Sequence, residues 1–234
     1  MMEQGRRQSG RRVVRASALA CLLVSVSGCG GTTSEVVTDP RIDQYRIKRV
    51  AVLPFMVAPR TRGQLQGYAA PAPSPEAAEK LAELFYLKLN AREGITVIPP
   101  GQAREVTARV PASAAKLTSR ELGEKLGVGA VLEGMVEVYK QRQGSALGLD
   151  RPQDSAEVGF AVRLVSTQDG AILWTGEYYE HQRPVIEDFS GFLERGARFL
   201  TVEELASSAV DHVLVGFPLG TPIKRATGAR ADAP

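Results

Sequence analysis

The sequence predicts an α/β fold: a mixed β-sheet with a C-terminal antiparallel hairpin, packed against helices as a layered α/β sandwich. Three observations predict it. Ala130 to Tyr139 alternates apolar and mixed residues at the period of a strand. Two apolar runs, Glu157 to Val165 and Ala171 to Tyr179, flank Asp169-Gly170 as a hairpin would. Thr118 with Glu121, and Thr201 with Glu204, form capping-box patterns ahead of helical stripes.

The elements follow in order. Arg49-Val-Ala-Val-Leu-Pro-Phe55 is apolar on both faces and reads as a buried central strand ended by Pro54. Ala58 to Pro75 is rich in Pro, Ala and Gly and reads as a long loop. Ser74-Pro75-Glu76 starts a helix, with Ala77, Leu81, Leu84, Phe85 and Lys88 on one face, and Gly94 breaks it. Ile95 to Ile98 is a short strand, and Gln102 to Arg109 a short helix. A third helix begins at Thr118, buries Leu122 and Leu126, and stops at Gly127.

In the strand from Ala130, the set Ala130, Leu132, Gly134, Val136 and Val138 should face helices. The set Val131, Glu133, Met135, Glu137 and Tyr139 is half polar, so one sheet face should be partly solvated. In the hairpin, Asp169-Gly170 suits the positive φ angles of a tight turn. Residues 189–199 read as helical. The last helix carries the stripe Val202, Leu205, Ala206, Ala209 and Val213. The resulting order is β α β α α β β β α.

The amino-terminal residues decide the compartment. Arg6, Arg7, Arg11, Arg12 and Arg15 precede a short apolar run that ends at Val26-Ser27-Gly28-Cys29. The run is shorter than the about 20 apolar residues a spanning helix needs, so 1–28 reads as a removable signal. Its last four residues resemble the lipobox of bacterial lipoproteins. That resemblance implies cleavage between Gly28 and Cys29, a diacylglycerol on the Cys29 thiol and an N-acyl chain, with no other cofactor. Such an anchor holds a protein on a membrane without spanning it. An ordinary secretory signal with a chance Cys is the alternative, and Gly10 to Arg15 also looks loosely like a twin-arginine export signal. In the sorting scheme the lipobox implies, Gly30 in place of Asp favours the outer membrane, facing the periplasm.

Removing 1–28 takes away five arginines and one glutamate, and the formal charge of +3 falls to about −1. The basic excess belongs to the signal, so no nucleic-acid partner is expected. Cys21 leaves with the signal and Cys29 carries the lipid, so no thiol remains for a disulfide. Residues 29–45 are small and polar and read as a flexible tether, 46–218 as a single domain, and 219–234 as a disordered tail.

Three segments occur in order: Arg49 to Phe55, Leu126 to Val136, and Val162 to Gly176 with its Asp-Gly turn and Leu173-Trp174. Together they resemble a group of bacterial envelope domains: the curli-secretion lipoprotein, the amino-terminal domain of TolB, and the lipoprotein activators of penicillin-binding proteins. The resemblance spans roughly Lys48 to Phe217. It implies a non-enzymatic adaptor or assembly factor that binds an envelope protein, or alternatively a ring-forming, secretion-type homo-oligomer. The curli member lends transmembrane hairpins to a barrel. Here Ala58 to Pro75 and Lys140 to Ala156 are interrupted by Gly and Pro and lack the alternation a barrel strand needs.

Chemistry-bearing residues are few. His181 stands beside Glu180, with Glu187 and Asp188 downstream, and reads as part of a polar loop. His212 falls at the edge of the last helix's apolar stripe. With no His pair at i, i+4 and no Cys ligand, no metal site is expected. Ser145 lacks the Gly-x-Ser-x-Gly setting of a nucleophile elbow. No catalytic residue is assigned. Trp174, Tyr178 and Tyr179 are candidates for a partner surface, with packing inside the sheet as the alternative. Arg60, Arg62 and Tyr68 in the long loop are the other candidates.

Overall fold

The computed structural model describes residues 32–58, 72–109, 117–143, 155–182 and 200–223. Its strands are β1 (Thr32–Thr38), β2 (Arg49–Val52), β3 (Met56–Val57), β4 (Arg92–Glu93), β5 (Thr96–Ile98), β6 (Ala130–Lys140), β7 (Glu157–Ser166), β8 (Ile172–His181) and β9 (Thr221–Pro222). Its α-helices are α1 (Pro75–Asn90), α2 (Pro100–Ala108), α3 (Ser119–Leu126) and α4 (Val202–Leu214). The main sheet runs β1-β8-β7-β6-β2-β5, with β3 also on β6, and β4 pairs with β9 in a separate ribbon.

The expected mixed sheet is therefore present. Strands β2, β5, β3 and β6 are mutually parallel where they pair, while β6, β7, β8 and β1 are antiparallel. Strand β2 lies between β5 and β6 and is buried on both faces. It sends Val50 and Val52 into the core under α1 and α4, and Ala51 into the smaller core under α2 and α3, where Leu53 joins it. An unbroken apolar run is what such a strand requires. Beyond the reach of α2 and α3 the second face opens. Met135 and Arg163 are exposed there, and Glu133 is half-buried.

The helix signals act as the sequence indicates. The Ser74 hydroxyl accepts from the Ala77 N–H at 3.2 Å, and Pro75 opens α1. Thr118 and Thr201 each form a complete capping box, with Glu121 and Glu204. Gly127 ends α3 in the left-handed region at φ 64°, a conformation that costs glycine little. The Gln141 Oε1 adds a second acceptor for α4, taking the Val202 N–H at 2.9 Å. Helix α2 starts two residues before the expected Gln102, because Pro100 suits a first helical position.

Four readings need correction. The tether expected over 29–45 is folded from Thr32 onward. Thr32–Thr38 pairs residue by residue with β8, and Asp39 N–H donates to Leu173 O at 2.9 Å. A 3-10 turn at Ile42–Tyr45 follows, with Ile42 buried and the Tyr45 hydroxyl donating to Asp169 at 2.8 Å. β-branched Thr and Val suit a strand even in a polar stretch, and β8 supplies the partner.

The disordered tail expected from 219 is likewise folded over its first residues. Thr221–Pro222 pairs with Arg92–Glu93, and the Arg92 guanidinium donates to the carbonyls of Leu214, Phe217, Leu219 and Gly220.

Strand β6 changes face near its end. Its register with β7 shifts between Val136 and Val138, and one extra residue inverts the parity of all that follow. Tyr139 therefore packs on the α1 and α4 side with the main core, whereas Val138 leaves the set the sequence assigned it to.

In the hairpin, only Gly170 takes a positive φ, 77°. The Asp169 carboxylate instead accepts the Ala171 N–H at 3.1 Å in a longer connection. The signal at 1–28, the tail beyond 223 and the helix expected over 189–199 lie outside the described residues.

Candidate functional site

Of the sequence-proposed contact residues, the structure places three. Trp174 is 1% exposed and Tyr178 5% exposed, so neither forms a partner surface. The Trp174 indole N–H donates to Gly216 O at 3.0 Å, and its ring meets Phe217 edge-on at 5.0 Å. Tyr178 stacks on Phe160 at 5.9 Å and touches the His212 ring at 5.6 Å. Both belong to the core because their shared strand face turns toward α4. The parity was legible in the sequence, but the helix lying over that face was not.

Tyr179 points to the opposite face and is half-buried, its hydroxyl donating to Glu157 at 2.5 Å. Cys29, Gly28, Arg60, Arg62, Tyr68 and Ser145 lie outside the described residues.

Burial pushes the Tyr178 phenol well above its ordinary range, with the Glu180 carboxylate it donates to reinforcing the shift. Tyr179 is raised likewise, by burial and then by Glu157. Burial also raises Tyr139, to about 12. These phenols stay neutral near neutral pH, with Tyr178 and Tyr179 as hydrogen-bond donors. The histidines do not converge: His181 ends β8, opposite Glu157 in register, while His212 is on exposed α4 surface. Among the described residues no group of His, Cys, Asp and Glu could hold a metal ion.

What the sequence reading missed is the sheet edge. Among the described residues strand β1 is the last in its sheet, and six of its seven residues are exposed. At its end a groove of about 440 Å³ is lined by Val37, Asp39, Arg41, Ile172 and Thr175, among others. Val37 is 53% and Ile172 48% exposed, so two large apolar side chains meet solvent beside an open edge.

Its charged rim is ordered. The Arg41 guanidinium grips Asp39 at 2.7 Å, and that hydrogen bond holds the Asp39 carboxyl down to about 2. The β-branched content of Thr32-Thr-Ser-Glu-Val-Val-Thr38 was the signal available for β1.

A second groove, of about 280 Å³, lies between α1 and α4 and is lined by Leu81, Leu84, Leu87 and Tyr139. Lys80 links its walls to Glu203 at 3.6 Å. Among the described residues no helix is long and apolar enough to cross a membrane.

No family model matches the chain, and no curated protein does. Solved structures do resemble it. The PelC dodecamer protein from Paraburkholderia phytofirmans is 17% identical, over 79% of this chain and 96% of that one, with a TM-score of 0.48. Lipoprotein GNA1162 from Neisseria meningitidis is 20% identical, over 72% of this chain and 99% of that one, with a TM-score of 0.37. TolB from Acinetobacter baumannii, whose relatives the sequence resembles, is 17% identical, over 80% of this chain and 32% of that one, at 0.27. The neighbours thus include members of the envelope group expected from the sequence.

Proposed function

We propose that this chain is a lipid-anchored lipoprotein of the bacterial envelope, held at Cys29 on the outer membrane and facing the periplasm. It acts without catalysis, as an adaptor or assembly factor that captures an extended segment of an envelope protein along the β1 edge. The observation that carries this reading is the open edge of β1 beside exposed Val37 and Ile172. An edge strand offers a ladder of backbone donors and acceptors for strand addition, and flanking apolar side chains supply specificity.

Photo-crosslinking from position 37 in cells tests the adaptor reading. A discrete adduct with one envelope protein is expected, and Ile172→Asp should abolish it. An adduct spectrum unchanged by Ile172→Asp, or none at all, would overturn it. The same edge admits a second reading, pairing with further copies of this chain as a ring-forming subunit. Sizing of the lipid-free domain separates the two: a defined ring supports assembly, and a monomer supports capture of a different partner.

A further inference from the structure

The docking of β1 fixes which end of the domain meets the membrane. Resting on the reading of Cys29 as the lipid-bearing residue, we propose that the sheet end carrying Thr32, Lys140, Glu157, Glu180 and His181 lies against the bilayer surface, with the end carrying Asp39 and Asp169 pointing away.

The argument starts from covalent reach. Only Gly30 and Gly31 separate Cys29 from Thr32 in sequence, and a fully extended chain spans at most about 10 Å over those three residue steps. Strand β1 begins at Thr32 and is not free to lengthen the leash. All seven of its residues pair with β8, and Asp39 N–H closes the ladder on Leu173 O. Val36 is half-buried against α4's end, where a Cβ at Gly216 would stand 2.7 Å from Val36 Cγ1.

Register then identifies the rest of that end. Thr32 faces Glu180 in β8, His181 faces Glu157 in β7, and Glu157 faces Lys140 in β6. The hairpin turn at Asp169 lies at the other end of β8, roughly 30 Å away along a ten-residue strand.

The chemistry of the two ends agrees with this placement. At the Thr32 end Lys140 and Glu157 are buried, Glu180 and His181 are half-buried, and the exposed residues Thr32, Gln141 and Gln143 are polar, as the headgroup zone requires. The exposed apolar side chains of β1 and β8, Val37 and Ile172, stand at the opposite end. The groove proposed for a protein partner is thereby presented to the compartment and kept off the bilayer.

Energy transfer on the lipidated protein in vesicles tests the orientation. Gln143→Cys and Gln168→Cys place labels at exposed positions, one just past β6 and one in the hairpin turn. The mature chain has no other free thiol. The vesicles are phosphatidylcholine with phosphatidylglycerol and carry a headgroup acceptor.

Transfer should be clearly stronger from position 143 than from 168. Inserting about fifteen Gly/Ser residues between Gly31 and Thr32, with a root-mean-square reach of roughly 20 Å, should erase the difference. Equal transfer from both positions, or stronger transfer from 168, overturns the orientation while vesicle flotation shows the anchor intact. Protein that does not float with the vesicles overturns the lipoprotein reading and the orientation together.

Discussion

Gly134 leaves the space that the Phe55 ring fills: a Cβ at Gly134 would stand 2.4 Å from Phe55 Cδ2. The two residues come from separate motifs, the Pro54-Phe55 pair that follows β2 and the internal glycine of β6. Phe55 continues into a row of rings, meeting Phe85 at 5.5 Å, which meets Phe160 at 5.5 Å. The same logic holds at Gly176, where a Cβ would stand 2.4 Å from Val213 Cγ1 on α4. The ordered motifs are thus a packing signature.

Gly134→Ala should destabilise the domain by about 1–3 kcal/mol, the usual cost of overpacking. The added methyl cannot be accommodated unless the Phe55 ring moves. Phe55→Leu should cost stability alone but relieve the clash, so the double variant should lose less than the two single losses combined. Thermal melting of the four proteins checks this, and simple additivity would break the link.

Trp174 is the single tryptophan and is buried. Its emission should be blue-shifted and resistant to iodide. Trp174→Phe removes the donor to Gly216 O and leaves part of the buried indole's space unfilled, and should cost about 1–3 kcal/mol in denaturant melts. A surface role would leave stability nearly unchanged.

The tyrosines set an alkaline limit. Tyr139, Tyr178 and Tyr179 have folded values above the ordinary one near 10, so the folded state holds their protons more tightly. Their contribution is fully present below pH 10 and is lost as pH rises from there through the folded values. Phenolate absorbance should show these three titrating only on unfolding, and Tyr178→Phe should flatten the alkaline loss of stability. Titration of all tyrosines near pH 10 in the folded protein would refute this.

Strand β1 should be visible in solution as well. Amides of Thr32–Thr38 that face β8 should exchange more slowly than those of an open chain, which a flexible tether would not show. Hydrogen exchange resolved to this peptide is the check, and full exchange at the earliest time would restore the tether.

Local signals were the legible part of this chain. Caps at Ser74, Thr118 and Thr201, the stop at Gly127 and the strand alternation each depend on neighbours within a few residues, so the sequence shows them directly. What escaped depends on distant partners. Thr32–Thr38 is polar and becomes a strand only because β8 has a free edge. The face of Tyr139 turns on one extra residue near Val136, and Trp174 is buried by Phe217 from the end of α4. The candidate edge at Val37 and Ile172 joins residues far apart in sequence, and neither is distinctive alone.

The proposed compartment and the proposed orientation of the domain both rest on lipid attachment at Cys29. The intact mass of protein extracted from membranes tests it most directly. The expected species begins at Cys29 and carries a diacylglycerol, with or without an N-acyl chain. A species that retains residues 1–28, or one with an unmodified Cys29 thiol, would contradict it.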